Sequence, residues 1–214
     1  MTRFTSALKR GETVTNATYE AGLGSNSSLY ARAHEKLGMT PSVFRSGGVG
    51  VTLRYTTMPT AVGRMLVAVT ERGIAAVRLG VTVGTLVASR RHDYPKAILC
   101  RDGIGLKEYV RVILQCVTGE RAATLLSLDV KASVFQRKVW QALQQVPRGQ
   151  TRSYLEIAEM IGQPTAARAV ARACATNPIA VGIPCHRVVR GDGQLAGYRW
   201  GLEWKKRLLA LERT

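Results

Sequence analysis

Ile183-Pro184-Cys185-His186-Arg187-Val188-Val189-Arg190 is the stretch around which the rest of the chain is read. It sets a thiol beside an imidazole, behind a proline and ahead of a short β-branched run. Sulfur attacks as the thiolate, and a free cysteine with a pKa near ~8.5 needs a histidine or another positive group close by to be ionised at neutral pH. Pro184 fixes its own φ and biases Ile183 away from helix, so the thiol is expected on a rigid turn or extended segment. Neighbouring side chains diverge, so a bridging water, or a third group that turns the ring, is needed to couple the two. On these residues alone, a reactive Cys-His pair and a buried, inert cysteine beside a surface histidine are equally good readings.

The flanks decide between them. Gly191-Asp192-Gly193 and Gly197-Tyr198-Arg199-Trp200-Gly201 follow the cysteine. Upstream, in order, lie Phe135 to Pro147 (FQRKVWQALQQVP) and Val170 to Pro178 (VARACATNP). Together these segments resemble the acceptor-cysteine region of the O6-alkylguanine-DNA alkyltransferases, and the resemblance covers about residues 51–214. The family usually carries Gly-Thr just before the Phe135 position, where this chain has Ala132-Ser133-Val134; Ser133 can still cap the helix that follows.

Composition agrees with a polyanionic partner. Thirty-one Lys and Arg against fourteen Asp and Glu give a net charge of +17, and arginine outnumbers lysine, which suits phosphate contacts. A soluble but merely basic protein is the plain alternative. The 214 residues are 46% hydrophobic, enough for a core in one or two domains. No apolar run approaches the ~20 residues of a membrane span, and the opening MTRFTSALKRGET has no apolar signal stretch. Cys100, Cys116, Cys174 and Cys185 form no C-x-x-C pair and have no histidine nearby except His186. Zinc and disulfides are therefore not expected, and the reading is a reduced, cytoplasmic protein.

Along the chain, residues 1–46 read as helices, with Gly22-Leu23-Gly24 as a turn and Ser25 to Ser28 offering caps, a helix-turn-helix layout. This segment resembles half of the AraC-type DNA-binding module in the version carried by the Ada adaptive-response proteins. Residual DNA binding and a vestigial scaffold stand as alternatives for it. No cysteine precedes Cys100, so the metal-binding methyl-sensing function of that family is not available. Residues 47–50 read as a linker. VTLRYTTM, GRMLVAVT and GIAAVRLG are three short strands broken by Pro59, Gly63 and Gly73. A helix over about 104–118 sets Leu106, Tyr109, Val110, Ile113 and Leu114 on one face, with Gly119 as its stop. Cys116 is expected in the core, and Cys100 is expected to be structural.

In the last third, Ser133 opens a helix over 135–145 with Phe135, Val139, Trp140 and Leu143 inward. Ser153-x-x-Glu156 is a capping box for a helix to Met160 or Ile161. After Gly162-Gln163-Pro164 comes a small-residue helix over 165–176. Its alanines suit core packing, which accounts for Ala169, Val170, Ala173 and Cys174 but not for Arg168 and Arg172. The final helix spans 204–213.

The resemblance implies an α+β fold. A small ribonuclease-H-like sheet-and-helix subdomain (51–128) leads into a helical, winged-helix-like alkyltransferase domain (129–214), with the AraC-type half-module (1–46) ahead of both. It implies direct-reversal DNA repair, a one-time transfer of an alkyl group from O6-alkylguanine, and also from O4-alkylthymine, to Cys185 after base flipping, with no cofactor or metal. The partner is double-stranded DNA carrying alkylated bases, the protein a monomer off the membrane, and a residual part in regulating the alkylation response is open. By the same resemblance, Glu212, 27 residues after Cys185, orients His186, with Glu203 its local competitor. The Tyr154 hydroxyl contacts the base, the Val188 carbonyl accepts from its amine, the Arg199 backbone N–H reaches O6 and Tyr198 forms an apolar wall. Asn177 is a hinge linking two backbone segments, a plain Asn-Pro turn being the alternative. Arg168, with Ala169 and Arg172 on the same helix, enters the minor groove and fills the gap left by the flipped nucleotide. Three rivals remain: a cysteine hydrolase, a pure DNA-binding regulator, and a lesion-binding relative without the thiol chemistry.

Overall fold

The structure is a computed structural model that describes residues 51–93, 96–120, 127–130 and 132–213, together with Ala7, Arg10, Glu12, Thr13, Asn16 and Ala17. Apart from those six residues, the expected helix-turn-helix over 1–46 and the linker over 47–50 lie outside the described residues.

Three β-branched segments form an antiparallel meander. β1 (Thr52–Thr60) pairs with β2 (Gly63–Thr70), and β2 with β3 (Gly73–Gly80). The Thr60 hydroxyl donates to the Gly63 carbonyl at 2.7 Å and closes the first hairpin. Pro59 does not break β1 as expected. A short fourth strand, β4 (Ile98–Arg101), lies parallel to β1 but pairs only with residues 52–55, so Pro59 sits where β1 is a sheet edge and its missing N–H costs nothing. The sheet order is β3-β2-β1-β4.

Alternation assigns the two faces of this sheet. Met65, Val67 and Val69 of β2 point into the main core, while Leu66 and Ala68 point the other way. A register shift opposite Ala68 and Val69 leaves Ala75 without a partner. That extra residue brings Ile74 onto the same face as Val77 and Leu79. The second face is covered by α1 (Val83–Asp93), which sets Leu86 against Leu66, Ala68 and Ala76.

The main face receives the remaining helices. α2 (Lys107–Thr118) begins three residues later than expected, because Ile104 to Leu106 form a turn that Asp102 steadies by accepting from the Gly105 N–H at 2.7 Å. Its buried residues are Ile113 and Val117, and Gly119 stops it in the left-handed region at φ 86°. Cys116 is half-buried against the core as expected; Cys100 is exposed on β4 rather than built into the core.

Both expected caps are present. Ser133 and Gln136 form a capping box at the start of α3 (Val134–Gln145), and Ser153 and Glu156 form one at α4 (Tyr154–Met160). Such caps contribute about 1 kcal/mol each. Arg152–Ser153 (β5) pairs in parallel with Val188–Val189 (β6). A single 3-10 turn, Pro164–Ala166, leads into α5 (Ala167–Ala175), and α6 (Leu202–Glu212) ends the described chain. The Trp140 indole N–H donates to the Ala173 carbonyl at 3.1 Å and ties α3 to α5.

Sheet and helical half share one core and are joined by backbone bonds. The Val77 N–H donates to the Pro178 carbonyl, and Val77 accepts from the Ala180 N–H, both at 3.0 Å. Residues 178–180 are thereby added to the free edge of β3 just ahead of the cysteine. Among the described residues no helix is long and apolar enough to cross a membrane.

Candidate active site

The rigid segment expected around Pro184 is a 3-10 turn, Cys185–Arg187, running directly into β6. It approaches through a strained crossing. Val181 is the non-glycine residue with positive φ among those described, at 66°, an unfavourable conformation for a β-branched side chain. The bonds that hold it come from both sides, from the β3 edge at 178–180 and from Asn177.

Asn177 is fully buried, and its side chain bonds to more than the turn it starts. Its Nδ2 lies 3.2 Å from the Ile179 carbonyl, 2.8 Å from the Ile183 carbonyl and 3.1 Å from Cys185 Sγ. Its Oδ1 accepts from the Ile179 N–H at 2.9 Å. One side chain thus ties the end of α5 to the segment before the cysteine and also touches the sulfur.

Cys185 is 3% exposed, and burial pushes its thiol up to about 11, although the Asn177 hydrogen bond and the Lys205 charge pull the other way. Burial thus favours the protonated thiol at rest. His186 makes no hydrogen bond to the sulfur; it turns its Nε2 to Glu212 Oε1 at 2.8 Å, and its buried Nδ1 has no partner. Burial, the largest influence, holds the imidazole below its ordinary value; the Glu212 carboxylate raises it, and Arg187 and Lys205 lower it further.

Glu212, not Glu203, is the carboxylate beside His186. Glu203 is exposed and pairs with Lys206 at 3.0 Å one turn along α6. Burial pushes the Glu212 carboxyl up, but hydrogen bonds from His186 and Arg187 and their charges outweigh it and hold the group at about 2.

The remaining predicted residues divide between this centre and the surface. Tyr154, the first residue of α4, is half-buried, and its hydroxyl is pushed up to about 12 by burial and by the neighbouring thiols, so it is a neutral donor. Tyr198 sets its ring edge-on to His186, 6.5 Å between centroids, and to Trp200 at 5.0 Å; its buried hydroxyl has no partner. Arg199 donates from Nη1 to the Thr176 and Asn177 carbonyls at 3.0 and 3.2 Å, fastening the 197–201 loop to the end of α5. Arg168, Ala169 and Arg172 are exposed on α5, while Val170, Ala173 and Cys174 are buried. Ala169 thus lies at the surface beside the two arginines and not in the core, as the packing alternative would have it, and the outer face of α5 is small and cationic.

Two participants were missed. Lys205 is fully buried and donates from Nζ to the Val188 and Ala196 carbonyls. Its signal was in the sequence: 205, 208, 209 and 212 form the buried stripe of α6, and a lysine on such a stripe calls for a polar partner inside. Arg187 is the other, the next residue after His186, and it carries most of the hydrogen bonds to Glu212. Among the described residues no group of three or more His, Cys, Asp or Glu is placed to hold a metal ion.

Comparison with known proteins finds relatives over most of the chain. The 6-O-methylguanine DNA methyltransferase DNA-binding domain profile matches residues 134–214. The chain is 43% identical over 210 residues to the bifunctional transcriptional activator/DNA repair enzyme Ada of Escherichia coli, covering 98% of this chain and 59% of that protein. It therefore spans about three fifths of that relative's length. It is 37% identical over 162 residues to the methylated-DNA–protein-cysteine methyltransferase of Mycobacterium tuberculosis, covering 76% of this chain and 93% of the relative. The crystal structure of Mycobacterium tuberculosis OGT in complex with DNA superposes with a TM-score of 0.61 at 36% identity, again over 76% and 93% of the two chains.

Proposed function

The chain belongs to the methylated-DNA–protein-cysteine methyltransferase family, and we propose that it repairs DNA by moving an alkyl group from O6 of guanine, or O4 of thymine, onto Cys185. The observation that carries this reading is the buried Cys185 sulfur, held by Asn177 within a shell that also contains the His186–Glu212 pair, Tyr154 and Tyr198.

In the proposed step the Cys185 sulfur attacks the alkyl carbon in line with the bond to O6. The S–C bond forms as the C–O6 bond breaks. The thiol proton passes through a water to the open Nδ1 of His186, and the Tyr154 hydroxyl hydrogen-bonds to the base as negative charge develops on it. The Val188 carbonyl accepts from the guanine amine, the Arg199 backbone N–H reaches O6, and Tyr198 walls the base. A thioether is not hydrolysed under these conditions, so each molecule acts once.

Base flipping is assigned to α5. Its exposed Arg168, Ala169 and Arg172 lie on the minor-groove side, Arg168 filling the gap. Residues 51–128, with their β3-β2-β1-β4 order, are read as the ribonuclease-H-like subdomain, and 129–214 as the winged-helix-like domain that holds DNA and the thiol. Residues 1–46 are read as the AraC-type half-module, whose deletion tests any share in DNA binding.

Duplex DNA carrying labelled O6-methylguanine tests the central reading against Cys185→Ala. Label should move to the protein, one per molecule, only when Cys185 is present. Repeated turnover would point to a hydrolase, and tight lesion binding without transfer to a sensor or regulator.

A further inference from the structure

The Glu212 carboxylate is crowded with donors, and most of them belong to one residue. Arg187 donates from Nε to Oε1 at 3.1 Å and Oε2 at 3.0 Å, and from Nη2 to Oε1 at 2.8 Å. Its Nη1 donates to the Val146 carbonyl at 2.7 Å, at the C-terminus of α3. The guanidinium is pinned at one end and grips the carboxylate as a fork at the other. The Gly149 N–H adds a weaker bond to Oε2 at 3.3 Å. Oε1 is shared between this fork and His186 Nε2. An ionised carboxylate only accepts, so the ring proton on that edge sits on Nε2 and a neutral ring leaves a lone pair on Nδ1.

We propose that Arg187 is a positioning residue of the transfer reaction: by fixing the Glu212 carboxylate it holds His186 as the neutral Nε2–H tautomer, with Nδ1 open to receive the Cys185 proton. This inference rests on the reading of Cys185 as the alkyl acceptor.

Charge balance supports the same role. A buried imidazole beside a lone carboxylate would be held as imidazolium, which has no lone pair left for the thiol proton. The groups that face this pair are Glu212 and Lys205 from α6, Arg187 and Cys185 from the 3-10 turn, and the Tyr198 ring. Cys185 in turn acts on Tyr154 of α4 and Cys174 of α5 and feels the Arg199 charge, and Cys116 of α2 feels the Arg187 charge. Burial pushes the thiols and both tyrosine hydroxyls up, so all are neutral at ordinary pH. Glu212 is then the one anion of this group, and without Arg187 its field is opposed by Lys205 alone. Lysine at position 187 would keep a positive charge but, as a point donor, could not span both carboxylate oxygens and the Val146 carbonyl.

The test combines nitrogen NMR of the His186 ring across pH with the pH profile of single-turnover transfer, in wild type, Arg187→Gln and Arg187→Lys. Wild type should show the Nε2–H tautomer with Nδ1 unprotonated through neutral pH. In Arg187→Gln the imidazolium should persist to higher pH, and the acid limb of the transfer profile should move up with it. Arg187→Lys should keep that limb near its wild-type position while the rate falls roughly ten- to a hundredfold, the cost of a misplaced catalytic group. An Nδ1–H tautomer in wild type would overturn the proposal. So would an Arg187→Gln protein that melts lower yet titrates and reacts with the wild-type profile. If Arg187→Gln does not fold, an unchanged rate in Arg187→Lys overturns it. A wild type that transfers no alkyl group defeats the proposed function instead, and the tautomer then decides this inference by itself.

Discussion

Replacing Asn177 by alanine isolates the hinge. The Asn177 amide has two hydrogens, shared among the Ile179 carbonyl, the Ile183 carbonyl and Cys185 Sγ. The two carbonyls each keep one backbone partner without it: Ile183 N–H donates to the Ile179 carbonyl at 3.2 Å, and Cys185 N–H to the Ile183 carbonyl at 2.8 Å. The Ile179 N–H has no such reserve, because its acceptor is Asn177 Oδ1. Truncation therefore leaves a buried N–H unpaired, at about 1–3 kcal/mol, and removes two amide bonds worth about 1 kcal/mol each, roughly 3–5 kcal/mol together. For a chain of this size the melting temperature should fall by roughly 6–20 °C, read by calorimetry or urea titration. Asn177→Asp sharpens the logic. It keeps the bond to the Ile179 N–H but faces a carboxylate with two carbonyls and a sulfur. At neutral pH it should be at least as unstable as the alanine variant. Its carboxyl would be raised in the folded state, so stability should return as pH falls and the group protonates. An alanine variant that melts within about 2 °C of wild type would refute the hinge, and an aspartate variant more stable than alanine at pH 7 would refute the donor argument.

Glu212 links stability to acid. Its carboxyl is held at about 2 against an ordinary 4.5, so its contribution is full above pH 4.5 and is lost as pH falls toward 2, on the order of 3 kcal/mol in all. Urea titrations over that window should show this slope in wild type and a flatter one in Glu212→Gln, which should be the less stable protein at pH 7; parallel slopes would remove Glu212 from the account. Arg168→Ala, at an exposed position on α5, should slow repair of duplex lesions far more than dealkylation of the free base, and equal losses would end its assignment to the flipped-base gap.

What could be read from the sequence was what local chemistry dictates. Ser133, Ser153 and Gly119 each mark a helix end by a bond that needs no distant partner, and each is found in place. The three long strands were legible because their β-branched runs sit between glycine turns. α1 was not, since Leu86 is its one described core residue and a helix that covers only the outer sheet face carries little apolar periodicity. β4 was missed for a related reason, being four residues long and mostly exposed. The bulge at Ala75 depends on pairing with β2, which no window of sequence contains. At the site, Cys185 and His186 stood out as a motif, and Glu212 was reached only through the family resemblance. Arg187 lay in the same motif, but its task depends on the Val146 carbonyl 41 residues away, a relation that only folding creates.

The buried thiol changes how the proposed chemistry must run. With burial pushing its thiol up to about 11, Cys185 is held as the protonated thiol at pH 7. A standing thiolate paired with imidazolium, the arrangement expected of a cysteine hydrolase, is therefore not what this site holds. The attacking sulfur has to lose its proton as the alkyl carbon arrives, so the acceptor must be neutral and correctly turned beforehand. His186 meets both conditions: burial, Arg187 and Lys205 disfavour its charged form, and its bond to Glu212 leaves Nδ1 free. The same burial that suppresses the thiolate also shields the sulfur from chance electrophiles in bulk solvent. On the proposed single-use chemistry, silence before the lesion arrives matters as much as speed afterwards, and burial serves both: it holds the thiol protonated and the imidazole neutral.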